Sequence, residues 1–203
     1  MTKDMFDSFE QSVINLSKNL PQWNTDCLDR KVQSAISSLF EEAGEISGLI
    51  SKYRTRKHYY DIEDYRTLDN YNEIRTKFID ESGDLLWVLV CSINCLITKN
   101  KINIFEVLTE IDEDYSYSFE TSLFDIIRDI STLQQQVLFD GCVSNFVVYR
   151  FEDLLLSFRT FLLFLNKDYD ITLEEIIKYN MNKLNLRYDD KGKRVDEKEG
   201  DNK

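Results

Sequence analysis

The sequence predicts an all-α fold, and three observations lead to this class. The 203 residues include only six glycines and one proline, so tight β-turns would be poorly supplied. Leu, Ile, Glu and Lys are abundant, and apolar residues recur at helical spacing along most of the chain. Hydrophobic residues make up 42% of the chain, enough for one core. We therefore expect a four-helix-bundle-like core with extra helices over residues 1–188.

Seven helical stretches follow one another along the chain. The first covers residues 4–19 and ends near Pro21, because proline cannot continue a helix. The others are predicted at 29–56, 73–99, 102–114, 117–139, 145–166 and 172–188. A polar, tyrosine-rich loop is expected over 57–71, and Thr172 with Glu175 forms a capping box for the last helix. Residues 189–203 are almost entirely charged or polar, which is typical of a disordered tail.

The composition excludes several classes of function. A formal net charge of −12 argues against nucleic acid or an anionic membrane as a partner, because the overall field repels both. No run of about 18 apolar residues suggests a membrane span, and the start of the chain lacks a signal-peptide pattern. With one histidine and no CxxC pair, a zinc site is disfavoured. We expect a soluble, cytoplasmic protein.

Two pairs of carboxylates interrupt the apolar faces of consecutive helices. Glu42 and Glu45 lie three residues apart on the second predicted helix, and Glu81 and Asp84 have the same spacing on the third. Residues three apart project from one side of a helix. A carboxylate among apolar residues is costly unless its charge is compensated. The two pairs are therefore candidates for a shared site.

A glycine lies inside each carboxylate pair, Gly44 in one and Gly83 in the other. Glycine inside a helix costs about 1 kcal/mol relative to alanine, so both positions need a reason. We expect the second and third helices to approach closely here, which would bring four carboxylates together.

Such a cluster favours a hard divalent cation. Carboxylates without histidine or cysteine select Mg²⁺, with Mn²⁺ as a substitute. A magnesium ion held this way keeps positions for water and for phosphate oxygens. The alternative is a solvated acidic face, which an isolated EExxE on a helix usually is.

The joint pattern, EExxE followed on the next helix by ExxD, resembles the signature of the MazG-like all-α nucleoside triphosphate pyrophosphohydrolases. This group is related to the dimeric dUTPases and dCTP pyrophosphatases. The matching residues are Glu41, Glu42, Glu45, Glu81 and Asp84. The segment YNMNKLNLRY, residues 179–188, is similar to the one that closes many MazG-like domains. The resemblance covers residues 20–98 and 170–190.

The resemblance implies Mg²⁺-dependent hydrolysis of a (deoxy)nucleoside triphosphate to a monophosphate and pyrophosphate, as nucleotide-pool housecleaning. The implied metal ligands are Glu42, Glu45, Glu81 and Asp84. Glu41, at the edge of the cluster, would orient or deprotonate the attacking water. A homodimer or higher homo-oligomer is also implied.

Substrate-binding residues are implied at five positions. Asn180, Lys183 and Arg187, which share one helix face, would meet the phosphates. Trp23 would stack on the base, and Lys52 would add positive charge. Alternative interpretations are a tryptophan that packs in the core and cations that stabilise helix C-termini.

The stretch from about 100 to 170 has no place in a compact MazG-like unit. The segment SGDLLWVL, residues 82–89, is echoed by FEDLLLSF, residues 151–158, which pairs Asp84 with Asp153 but puts Arg150 at the place of Glu81. A degenerate tandem repeat of 1–115 and 116–188 would explain this, as would an insertion or two unrelated amphipathic helix pairs. Rival functions are a dUTPase- or dCTPase-type diphosphatase, a non-catalytic metal- or nucleotide-binding protein, and a structural oligomer. The preferred base is not indicated.

Overall fold

The computed structural model describes residues 1–60, 70–97, 102–110, 119–140, 145–189 and 195. Within these ranges the chain forms helices and no β-strand, so the predicted all-α class is confirmed. The helices are α1 (Lys3–Ser17), α2 (Leu28–Tyr60), α3 (Tyr71–Leu96), α4 (Ile104–Thr109), α5 (Phe119–Asp140), α6 (Asn145–Tyr169) and α7 (Leu173–Arg187). None of these helices has the length and apolar character needed to cross a membrane.

The predicted boundaries are wrong mainly at the ends of α2 and α4. The loop predicted over 57–71 is helical at both ends, because α2 continues to Tyr60 and α3 begins at Tyr71. No glycine or proline interrupts the end of α2, so no residue there stops the helix. The α4 helix ends at Thr109 instead of residue 114, since Glu110 adopts an extended backbone. Residues 61–69 and most of the predicted tail, 190–194 and 196–203, lie outside the described residues.

The α3 helix is the centre of the molecule. It packs against α2, α7, α1 and α6, and its second half is buried on nearly every side. A helix that is apolar all round belongs in the interior. The α5 helix packs on α6 and on α2, while α4 packs on α6. Functional groups on the first half of α3 therefore face neighbouring helices.

Arg75 of α3 fixes the position of α7. Its guanidinium donates hydrogen bonds to the carbonyl oxygens of Tyr169 (3.2 Å) and Asp170 (2.8 Å), at the end of α6. It also pairs with Glu175 at 2.6 Å. Glu175 is the third residue of α7 and completes the predicted capping box with Thr172. This contact ties the start of α7 to the helix that carries Glu81 and Asp84.

Candidate metal and phosphate site

Three glutamates converge where α2 and α3 pack together. Glu42, Glu45 and Glu81 each place one carboxylate oxygen within 4.8 Å of the other two. Glu42 and Glu81 are half-buried, and Glu45 is exposed. A hard divalent cation binds carboxylate oxygens at about 2.0–2.6 Å, so these three groups fit around one ion.

The cluster carries more negative charge than its surroundings stabilise. Burial, together with the charges of Asp84 and Glu45, raises the pKa of Glu42 to about 7. Burial and a hydrogen bond with Glu45 raise the pKa of Glu81 to about 8. At neutral pH these groups hold protons that free glutamates release, and a bound cation would relieve the same repulsion.

Asp84 lies beside the glutamates but is bound by α7. Asn180 donates a hydrogen bond from Nδ2 to Oδ1 of Asp84 at 3.0 Å, and Lys183 donates from Nζ to Oδ2 at 2.5 Å. Burial raises the pKa of Asp84, while Lys183 and Arg187 act in the opposite direction. Asp84 thus stands between the glutamate cluster and the cationic side of α7.

The structure therefore brings together most of the residues predicted from the motif. Three of the four predicted metal ligands form the cluster, and Asp84 is close enough to Glu42 to raise its pKa. Glu41 is exposed on α2 and adds to the same repulsion. Asn180 and Lys183 reach the site, but their partner in this structure is a carboxylate.

Trp23 and Lys52 do not lie among these groups. Trp23 is buried, and its ring meets that of Trp87 edge to face, with centroids 6.5 Å apart. The core-packing interpretation of Trp23 agrees with this position. The Lys52 ammonium lies 5.5 Å from the centre of the Tyr53 ring, about two turns along α2 from Glu45. Arg187 is exposed at the end of α7.

The explanation offered for the two glycines is wrong. Apart from the adjoining residues and backbone of α2 itself, no atom of the described residues lies within 4 Å of the position that a Cβ at Gly44 would take, because this side of α2 is exposed. A Cβ at Gly83 would lie 3.1 Å from both Cβ and Nδ2 of Asn180. The close approach is therefore between α3 and α7, and it places Asn180 against Asp84.

Asp80 belongs to the site but is not part of the sequence motif. Its carboxylate binds Lys183 together with Asp84, and the Lys183 side chain is only 11% exposed. Asp80 precedes Asp84 by four residues and therefore shares its helix face. This spacing was the available signal, but the partner of Asp80 lies 103 residues further along the chain.

The chain was compared with known protein families, curated proteins and solved structures. Residues 30–116 match the model of the MazG nucleotide pyrophosphohydrolase domain. The matched segment contains all five motif carboxylates but ends before α7. No curated protein and no solved structure matches the chain. The matched segment carries EExxE and ExxD on packed helices with three of their glutamates in one cluster, and these features support assigning residues 30–116 to the MazG-like superfamily.

Proposed function

We propose that the chain is a Mg²⁺-dependent nucleoside triphosphate pyrophosphohydrolase that releases a nucleoside monophosphate and pyrophosphate. The main support for this proposal is that an acidic cluster and a basic side chain lie side by side. The cluster of Glu42, Glu45 and Glu81 can hold a cation, and Lys183 lies next to it on α7. A metal-bound polyphosphate needs both kinds of group.

The cation would be held by Glu42, Glu45 and Glu81, with Asp84 as a fourth carboxylate at the edge of the cluster. Bound there, Mg²⁺ supplies charge neutralisation of the phosphates and lowers the pKa of a coordinated water. Mn²⁺ has the same preference for oxygen ligands and would substitute.

Lys183 and Asn180 are the proposed phosphate-binding groups. Lys183 is held by Asp80 and Asp84, so its ammonium is already positioned when substrate arrives. Nδ2 of Asn180 donates one hydrogen to Asp84, so the second hydrogen of the same nitrogen is the one that would be donated to a phosphate oxygen, because the buried Oδ1 can only accept. Arg187, exposed one turn further along α7, would extend the positive surface towards solvent.

Glu41 is the proposed group that orients the attacking water or accepts its proton. It lies next to Glu42 in sequence, its side chain is exposed, and its charge acts on Glu42, although it is not one of the three glutamates that converge. A carboxylate at the solvent side of a metal cluster can hold a water without being a ligand itself.

A substrate panel tests the proposal. The protein is incubated with the eight common ribo- and deoxyribonucleoside triphosphates, and pyrophosphate is measured with Mg²⁺ and with a chelator. We expect Mg²⁺-dependent release from at least one substrate. Glu45→Gln and Glu81→Gln should each lower kcat/KM at least about 100-fold, since even outer-shell partners of metals are worth about 10–100-fold.

Glu73→Gln is the matched control for this test. Glu73 lies on α3 like Glu81, but it is exposed and pairs with Lys77 at 2.5 Å. Its substitution should leave pyrophosphate release unchanged. No Mg²⁺-dependent product from any of the eight substrates, or an equal loss in Glu73→Gln and Glu81→Gln, would contradict the proposed function.

A further inference from the structure

The α5 helix repeats the sequence of α2. Residues 38–49, SLFEEAGEISGL, and residues 122–133, SLFDIIRDISTL, are identical at six of twelve positions. The carboxylates Glu41 and Glu45 correspond to Asp125 and Asp129. Heptad patterns alone reproduce apolar spacing, but they do not reproduce an SLF start and two carboxylates at matching places.

The two helices that follow repeat α3 and α4 at a different, constant offset of 69 residues. Asp84 corresponds to Asp153, and α4 begins at Ile104 where α7 begins at Leu173. Both short connections end in the same cap. The side chain of Asn103 accepts a hydrogen bond from the backbone of Glu106, and that of Thr172 accepts one from Glu175, again 69 residues later.

The packing of the helices has the matching symmetry. The interfaces α2–α3 and α5–α6 are the two most extensive in the described part of the chain, and α2 also contacts α5. The α7 helix packs on α3, whereas α4 packs on α6. Each last helix therefore lies against the middle helix of the other half. A two-fold relation between two equal units produces such reciprocal contacts.

Three carboxylates of the second half, the counterparts of Glu41, Glu45 and Asp84, lie around Arg128. The Arg128 guanidinium donates from Nη1 to Oδ1 of Asp125 at 2.6 Å and from Nη2 to Oδ1 of Asp129 at 3.0 Å. Asp153 is close enough for its charge to act on Arg128 as well. Asp125 and Asp129 share α5 with Arg128, so the contact that bears on the repeat is the one between the two helices: Ser157 of α6, four residues after Asp153, donates to Oδ2 of Asp129 at 2.6 Å.

The second half has arginines at two positions where the first half has a glycine and a glutamate. Arg128 corresponds to Gly44, and Arg150 corresponds to Glu81. Arg150 donates from Nη1 to Oδ2 of Asp153 at 3.0 Å and from Nε to Gln136 at 3.2 Å. The position of Glu42 is taken by Ile126, which is fully buried.

We propose that residues 119–187 are a second copy of the unit formed by residues 28–110, in which Arg128 and Arg150 occupy the place of the divalent cation. The copy no longer forms a metal centre of its own, because a guanidinium satisfies its remaining carboxylates. Its last helix instead supplies Asn180 and Lys183 to Asp84 of the first copy. The chain then has one centre, built from both halves.

Reversing the three changes tests the proposal. Ile126→Glu, Arg128→Gly and Arg150→Glu are combined in a background that carries Glu45→Gln and Glu81→Gln, and Mn²⁺ binding is measured by calorimetry. The background should bind no Mn²⁺, and the reversed variant should bind one ion per chain. A folded reversed variant, checked by circular dichroism, that binds no more Mn²⁺ than its background would overturn the proposal.

If the combined variant does not fold, a single substitution tests the same proposal. Arg150→Glu places a carboxylate at the position of Glu81 on a side chain that is 40% exposed. Mn²⁺ should raise its Tm by at least about 2 °C more than that of the parent. The control is Lys178→Glu, an equal charge reversal in an exposed pair with Glu174. Equal Mn²⁺ shifts in the two variants would overturn the proposal.

This test is separate from the proposed function. It measures the gain of an ion in the second half and does not depend on hydrolysis. If the parent protein bound no Mn²⁺ and released no pyrophosphate, the proposed function would fail, while the reversed variant would still report on the second half.

Discussion

Lys183 shows how single residues shape the site. Its ammonium is mostly buried between Asp80 and Asp84, so it neutralises two carboxylates of α3 at once. Hydrogen bonds to charged groups are worth about 1.5–3 kcal/mol each, and the pair also holds the long lysine side chain in one place. Asp80 is not one of the three converging glutamates, although its charge helps to raise the pKa of Glu81, and in the proposed function it does not contact the substrate. It is a positioning residue for Lys183.

Asp80→Asn tests this role. The substitution removes the negative charge of Asp80 and leaves Asp84 as the remaining carboxylate partner of Lys183. The ammonium is then less firmly held in the position where it would bind phosphate. We expect KM for the triphosphate to rise about 3–10-fold with little change in kcat, since binding that is equal in ground and transition states appears in KM. Asp80→Glu should restore most of the affinity. A large fall in kcat at constant KM would contradict a positioning role.

At the scale of helices, the site depends on how closely α7 approaches α3. Gly83 permits this approach, because any larger residue would meet the buried Asn180. Arg75 and the capping box hold the other end of the same interface. The α2 helix contributes Glu42 and Glu45, which converge with Glu81 of α3. The site is therefore a junction of three helices.

Paired glycine substitutions test this arrangement. Gly83→Ala should lower the free energy of unfolding by about 1–3 kcal/mol, as overpacking a well-filled interface does. Gly48→Ala, on the exposed side of α2 where a Cβ meets no described atom within 4 Å, should raise it by about 0.5–1 kcal/mol. Urea unfolding of both variants measures the difference. Equal effects would mean that α7 does not press against Gly83.

The sequence predicted the helices and the glutamate cluster for different reasons. Helices follow from local periodicity, and the cluster follows because Glu42 and Glu81 each interrupt an apolar face that must pack, with Glu45 three residues from Glu42 on the same side of α2. The contact between Asp80 and Lys183 and the role of Gly83 could not be predicted this way. Both depend on which helix packs against α3, and α7 is about 100 residues away from it in the chain. The extension of α2 to Tyr60 was missed because polar tyrosine-rich segments resemble loops.

At the scale of the whole molecule, the chain is acidic overall and also gathers Glu42, Glu45 and Glu81 in one partly buried cluster. The net charge is −12, and the pKa values of Glu42 and Glu81 are raised to about 7 and about 8. The folded chain without metal therefore holds protons that the unfolded chain releases near pH 4.5. The free energy of unfolding therefore falls as the pH rises from about 4.5 to about 8. Between these values the folded state binds protons that the unfolded state has already released.

This linkage predicts opposite effects of pH and of magnesium. Without metal, the Tm should fall as the pH rises from about 5 to about 8, and Mg²⁺ should restore it most strongly at the upper end. In Glu81→Gln, the free energy of unfolding should change by about 1 kcal/mol less between pH values of about 5 and about 8 than in the parent. This value is smaller than the full pKa shift would give, because the side chain is partly accessible to solvent. Thermal unfolding with chelator measures this. Glu73→Gln should keep the slope of the parent, and an unchanged slope in Glu81→Gln would argue against charge repulsion in the cluster.

The dependence of Asp84 on α7 has a consequence for how the protein is made. Asp84 and Lys183 are 99 residues apart, so at about 5–20 residues per second the ribosome needs about 5–20 s to deliver the lysine after the aspartate. During that interval the nascent chain displays its glutamates without the helix that completes them. Products of premature termination would lack that helix too, so under the proposed function we expect such unfinished polypeptides to cleave no nucleotide.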